Sequence, residues 1–111
     1  MEQQVTAQFR AGHQDGINAD QPMGDFEMFQ YVDDYVLGYV VGYSEMVSFQ
    51  QASPMAWSWQ AGELGRLYRV PLQELERFID PQEDFDGSLR RALRDSYHEA
   101  GQSPDDDVDL D

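Results

Sequence analysis

Tyr31, Tyr35, Tyr39 and Tyr43 stand at every fourth position of one stretch of the chain. An α-helix brings residues four apart onto one face, and within a stretch of helical apolar periodicity this spacing predicts a helix carrying an aromatic ladder. Gly38 and Gly42 share the spacing and cut a shallow groove along one edge of the ladder. Gly12 and Gly16 repeat it upstream. Small residues four apart let two helix backbones approach closely, so the two segments are expected to pack at these glycines. The tyrosines themselves read first as core and boundary residues with hydroxyls reaching water, and second as an aromatic docking strip.

The ladder belongs to a longer periodic stretch, from Asp25 as N-cap to about Ser48. On a helical wheel Met28, Phe29, Val32, Tyr35, Val36, Tyr39, Tyr43, Met46 and Val47 cover one broad face. Glu27, Gln30, Asp33, Asp34, Ser44 and Glu45 lie opposite. Leu37 and Val41 fall outside this division, which predicts burial on more than one side.

Four shorter segments surround it. A first helix runs from Val5 to about Ile17, weakened by two glycines at about 1 kcal/mol each relative to alanine. Asn18 to Gly24 reads as a loop. Ser53-Pro54 or Ser58 starts a third helix that reaches Tyr68, and Arg69-Val70-Pro71 breaks it. Leu72, Leu75, Phe78 and Ile79 mark a fourth helix, ended by Asp80-Pro81. A fifth runs from about Gly87 to Glu99 and buries Leu89, Ala92, Leu93 and Tyr97. Gly101 closes it, and residues 102–111 read as a disordered acidic tail. No segment reads as a strand. The expected fold is therefore all-α: one domain over residues 1–101, a compact bundle of four to five short helices, with Trp57 or Trp59 in its core.

The formal net charge is −15, with 22 acids, seven arginines and no lysine. Residues 1–59 hold eight acids and only one base, Arg10. Such a field repels nucleic acid and anionic membranes and attracts basic surfaces. It points to a basic protein partner, in the sharpest form a nucleic-acid-handling protein that the chain inhibits by mimicking its ligand, as a phage-encoded defence inhibitor does. Direct nucleic-acid binding and membrane binding are not expected. The residues expected to carry the interaction are Asp15, Asp20, Asp25, Glu27, Asp33, Asp34 and Glu45, with Asp105, Asp106 and Asp107 of the tail as a second contact. The alternative is that the acidity serves only solubility or salt tolerance. No apolar run nears the ~20 residues of a membrane span, there are no cysteines, and Met-Glu-Gln-Gln does not resemble a signal peptide. A cytoplasmic location is expected.

Several constellations of residues fall short of a chemistry. Ala61 to Ile79 has the rhythm of a helix-turn-helix, with Val70 plugging the turn, so a regulator is a further alternative. Its second helix, however, offers Gln73, Glu74, Glu76 and Arg77 where phosphate contacts need cations. Residues 82–93 imitate a calcium loop through Asp84, Asp86 and Gly87, yet Gln82 and Leu93 occupy the two anchoring carboxylate places. Ser44 lacks the glycine of a nucleophile elbow, His13 and His98 are isolated, and Asp33 and Asp34 point about 100° apart on a helix. Neither enzymatic activity nor a metal or other cofactor is expected. Arg90, Arg91 and Arg94 form the one basic cluster, read as balancing Asp86, Asp95 and Glu99.

The stretch Gly38-Tyr39-Val40-Val41-Gly42-Tyr43-Ser44, with Trp59-Gln60-Ala61-Gly62-Glu63-Leu64, Arg66, Tyr68 and Phe78 after it, resembles a family of short, uncharacterised enterobacterial proteins. Phe9 and Gly12 extend the match toward the N-terminus. Gln60 stands where that family has an acid, and the acidic tail is not one of its features. The resemblance implies a helical fold and a structural role for the glycines, and it implies no activity.

Overall fold

A computed structural model describes residues 6–100. Six helices follow one another and no strand occurs among the described residues: α1 (Ala7–Asn18), α2 (Asp25–Met28), α3 (Asp33–Gln51), α4 (Pro54–Leu67), α5 (Leu72–Glu76) and α6 (Ser88–Ala100). The all-α fold is as the sequence indicates. Residues 102–111, the expected tail, lie outside the described residues.

The central element is α3. Residues Tyr35 to Ser44 of it are buried except for half-buried Leu37, so it has no solvent face over more than two turns. That burial on several sides accounts for Val41, which no single apolar stripe includes. α1 covers α3 at the four glycines. A Cβ on Gly12 or Gly16 would strike the α3 backbone at Tyr35–Tyr39 or Tyr39–Tyr43. A Cβ on Gly38 or Gly42 would strike the α1 backbone at Phe9 or His13. Both residue series rise together, so the two helices run in the same direction.

The continuous helix expected from Asp25 to Ser48 is instead two helices. It breaks at Phe29–Val32, and Gly24, not Asp25, is the first N-cap. The reason is tertiary. The Met23 amide donates to the Tyr39 hydroxyl at 3.0 Å. In one straight helix the residues from Asp25 to Tyr39 would span about 21 Å, so the chain must fold back before α3 begins. The break also reverses the environment of two residues assigned to the apolar face: Phe29 and Val32 are more than half exposed.

α4 begins as its sequence requires, with the Ser53 hydroxyl accepting the Ala56 amide and Pro54 in the first turn. It packs on α3 and α6, where Ala61, Gly62, Leu64 and Gly65 are buried. Trp57 packs against the core, whereas Trp59 is partly exposed. At its C-terminus the Val70 amide donates to the Gly65 carbonyl at 2.7 Å and the Arg69 amide to that of Arg66 at 3.1 Å. This Schellman closure places Arg69 in the left-handed region at φ 65° and drives Val70 into the core. α5 is only five residues long, so the helical corner exists but its second helix is a stub. Among the described residues no helix is long and apolar enough to cross a membrane.

Candidate functional site

The tyrosine ladder is a structural strut. Its rings stack successively, Tyr31 on Tyr35 at 4.2 Å, then Tyr35 on Tyr39 and Tyr39 on Tyr43 at 6.4 Å. The Tyr35 hydroxyl donates to Asp15 at 2.5 Å, and that of Tyr68 to the Met23 carbonyl at 2.5 Å. Burial pushes the phenols of Tyr35, Tyr39 and Tyr68 above the ordinary range, and the Asp15 carboxylate adds to the shift at Tyr35. Three of the four ladder rings are buried, which leaves only Tyr31 partly open for docking.

The helix pair has two edges, and the acids divide between them. On α1, His13 and Asp15 project to opposite sides of the Gly12–Gly16 line. Asp15 meets Tyr35 on the ladder edge. On the other edge His13 Nε2 lies 2.9 Å from Glu45 Oε1, and the Thr6 hydroxyl donates to Asp34 at 2.9 Å. Phe9 stacks between His13 and Phe78 on that same edge. All seven acids expected to contact a partner within the described residues are solvent-exposed. They do not form one continuous row.

Four of them lie close together along the chain, with Asp34 turned to the His13 edge, where it accepts the Thr6 hydroxyl. Asp25 and Glu27 on α2, and Asp33 and Asp34 at the start of α3, bracket the turn between the two helices. Within this short stretch Phe26 is 86% exposed, Phe29 57% and Val32 56%. Asp25, Phe29, Tyr31 and Asp33 line one shallow cleft, and the Arg69 guanidinium sits 5.3 Å over the Phe29 ring. The result is an acidic ridge with apolar side chains standing out of it. Sequence reasoning missed the apolar part by placing Phe29 and Val32 on a buried face. Phe26 carried a usable signal, since it falls about 180° from Tyr35 on a continuous helix.

The remaining constellations have structural employment. Asp84 is buried, and its two carboxylate oxygens accept the Leu89 amide at 2.7 Å and the Arg90 amide at 3.3 Å. It thereby caps the N-terminus of α6, as Asp86 does through the Ser88 amide at 3.0 Å. That bond holds the Asp86 carboxyl below its ordinary range. In the helical corner Arg77 pairs with Glu74 at 2.6 Å, and Glu76 takes Arg94 of α6 at 2.9 Å. Arg94 is thus balanced across helices, rather than by the sequence neighbours expected to do so. Among the described residues no group of three or more His, Asp or Glu is placed to hold a metal ion.

Of the expected contact residues, Gly38 and Gly42 lie at the α1–α3 contact; Asp25, Glu27, Asp33 and Asp34 flank the α2–α3 turn, with Asp25 and Asp33 lining one cleft and Asp34 held by Thr6. Asp15 and Glu45 stand on separate edges of the helix pair, and Asp20 lies exposed in the loop before α2. Asp105, Asp106 and Asp107 lie outside the described residues. No curated protein and no solved structure matches the chain. A family model does match, over residues 5–99, and the chain therefore belongs to the family described as protein of unknown function (DUF2623).

Proposed function

We propose that the chain is a non-catalytic protein-binding module whose acidic surface docks on a basic protein. The observation that carries this reading is the ridge from Asp25 to Asp34, where Phe26, Phe29 and Val32 stand in solvent among four carboxylates. Exposed apolar side chains grouped inside a charged rim are the anatomy of an interface core. Solubility alone explains the carboxylates and leaves the three apolar side chains without a reason. The carboxylates steer a cationic surface and set the salt dependence, while the apolar groups supply the contact. A nucleic-acid-handling protein, cationic where it meets phosphate, is the partner class with the matching charge. The stricter form, mimicry of a phosphate backbone along one face, draws no support from Asp15 and Glu45 on their separate edges.

The test is a pull-down from nuclease-treated lysate with the wild-type chain and with the variant Asp25→Asn, Glu27→Gln, Asp33→Asn, Asp34→Asn. Wild type should retain one basic protein that raised salt releases, and the variant should lose it. Equal retention by the two chains overturns the ridge as the docking surface.

A further inference from the structure

The C-terminal half of α3, the start of α4 and the connection from α5 to α6 enclose a cleft of about 360 Å³. Phe49, Trp57, Phe78, Ile79 and Leu89 give it apolar walls. Glu45, Asp80 and Glu83 line the same cleft, and none of the described residues that line it is Arg or His. Phe49, at its lip, is 86% exposed. Ser58 also lines it, is fully buried, and its hydroxyl has no hydrogen-bond partner among the described residues.

These features select an occupant. Asp80 and Glu83, with Glu45 beside them meeting His13 at 2.9 Å, repel an anionic group and raise the local concentration of a cationic one. The apolar walls gain nothing from a purely hydrophilic polybasic strand, because such a strand leaves exposed Phe49 and Phe78 and half-buried Trp57 facing water. The volume suits one or two side chains and not a folded element.

We infer that this cleft takes an apolar side chain flanked by arginine or lysine, presented by an amphipathic basic segment of the partner protein. The inference rests on the protein-binding reading but not on the ridge. Asp33 and Glu45 are separated by twelve residues of α3, about 18 Å along its axis, so the two surfaces can be tested apart.

The probe is a synthetic amphipathic peptide of leucine and lysine, compared with a twin of equal charge in which serine replaces every leucine. Binding to the full chain is followed by amide chemical shifts. The leucine peptide should move the resonances of Phe49, Trp57, Ser58 and Leu89 saturably, and the serine twin should bind at least about tenfold more weakly. The double variant Phe49→Ser, Glu83→Gln alters only exposed side chains, and it should weaken the leucine peptide by about tenfold with unchanged thermal unfolding. Equal affinity for the two peptides, or shifts confined to Asp25–Asp34, overturns the cleft. Shifts confined to the ridge leave the protein-binding reading standing, and absence of saturable binding at the cleft overturns the cleft alone, the protein-binding reading being decided by the pull-down.

Discussion

Gly12 of α1 rests against the main-chain carbonyl of Tyr35 in α3, with no space for a methyl group between them. The same holds for Gly38 against the carbonyl of Phe9. Glycine inside a helix ordinarily costs about 1 kcal/mol relative to alanine, so Gly→Ala there usually stabilises. Here the obstacle is backbone, which cannot swing aside as a side chain can. Gly38→Ala is therefore expected to destabilise by about 1–3 kcal/mol net, and Gly12→Ala likewise. Urea unfolding checks this, and a gain in stability for either variant contradicts the close packing of α1 on α3.

Ala52 ends α3 in the left-handed region at φ 53°. The Ser53 amide donates to the Ser48 carbonyl and the Ala52 amide to that of Phe49, so the conformation is fixed by the closure of the helix. A residue with a Cβ pays about 1 kcal/mol there and glycine does not. Ala52→Gly should raise the unfolding free energy by up to about 1 kcal/mol, less the entropy that glycine adds to the unfolded chain. Arg69 has nearly the same backbone at φ 65°, but its guanidinium covers Phe29. Arg69→Gly should accordingly gain less than Ala52→Gly in the same denaturation experiment.

These two positions mark where the sequence is legible. Ser53-Pro54 and the Arg69-Val70-Pro71 break have local causes, and both helix ends can be placed from them. The glycine pairs are legible too, since only backbone contact gives a periodic use to residues without side chains. The split between α2 and α3 is not. Its cause is Met23 reaching the hydroxyls of Tyr39 and Tyr68, contacts across 16 and 45 residues that no local window contains. The ridge inherits that failure, because Phe29 and Val32 are exposed only once the helix breaks. Asp84 is a milder instance: its loop resembles a ligand set, and burial turns it inward as a cap.

The cap gives a direct measure of that burial. Asp84→Ala removes the acceptor of the Leu89 and Arg90 amides at the first turn of α6. A lost N-cap costs about 0.5–2 kcal/mol, and burial of the orphaned amides places this one at the upper end. Asp84→Asn keeps one carbonyl oxygen and should recover part of the loss. Calcium should change neither unfolding curve, because both carboxylate oxygens of Asp84 already accept backbone hydrogen bonds in the folded chain.

The tyrosines fix how the fold responds to alkali. Tyr35, Tyr39 and Tyr68 are raised above the ordinary phenol value of 10.0, chiefly by burial. Below that value both folded and unfolded chains keep these protons, and the stability tied to them is fully present. Above it the unfolded chain releases them while the folded chain holds them, so the unfolded state binds fewer protons and stability falls as pH rises. Unfolding midpoints measured between about pH 8 and pH 11 should therefore decline once the ordinary phenol range is reached. Phenolate absorbance of the folded protein should account for fewer than six tyrosines until the fold is lost. Tyr68→Phe removes one of the held protons and also the bond to the Met23 carbonyl. It should lower stability by about 1 kcal/mol near neutral pH and make the alkaline decline shallower. A decline as steep as that of the wild type would show that the Tyr68 phenol ionises equally in the folded and unfolded chains.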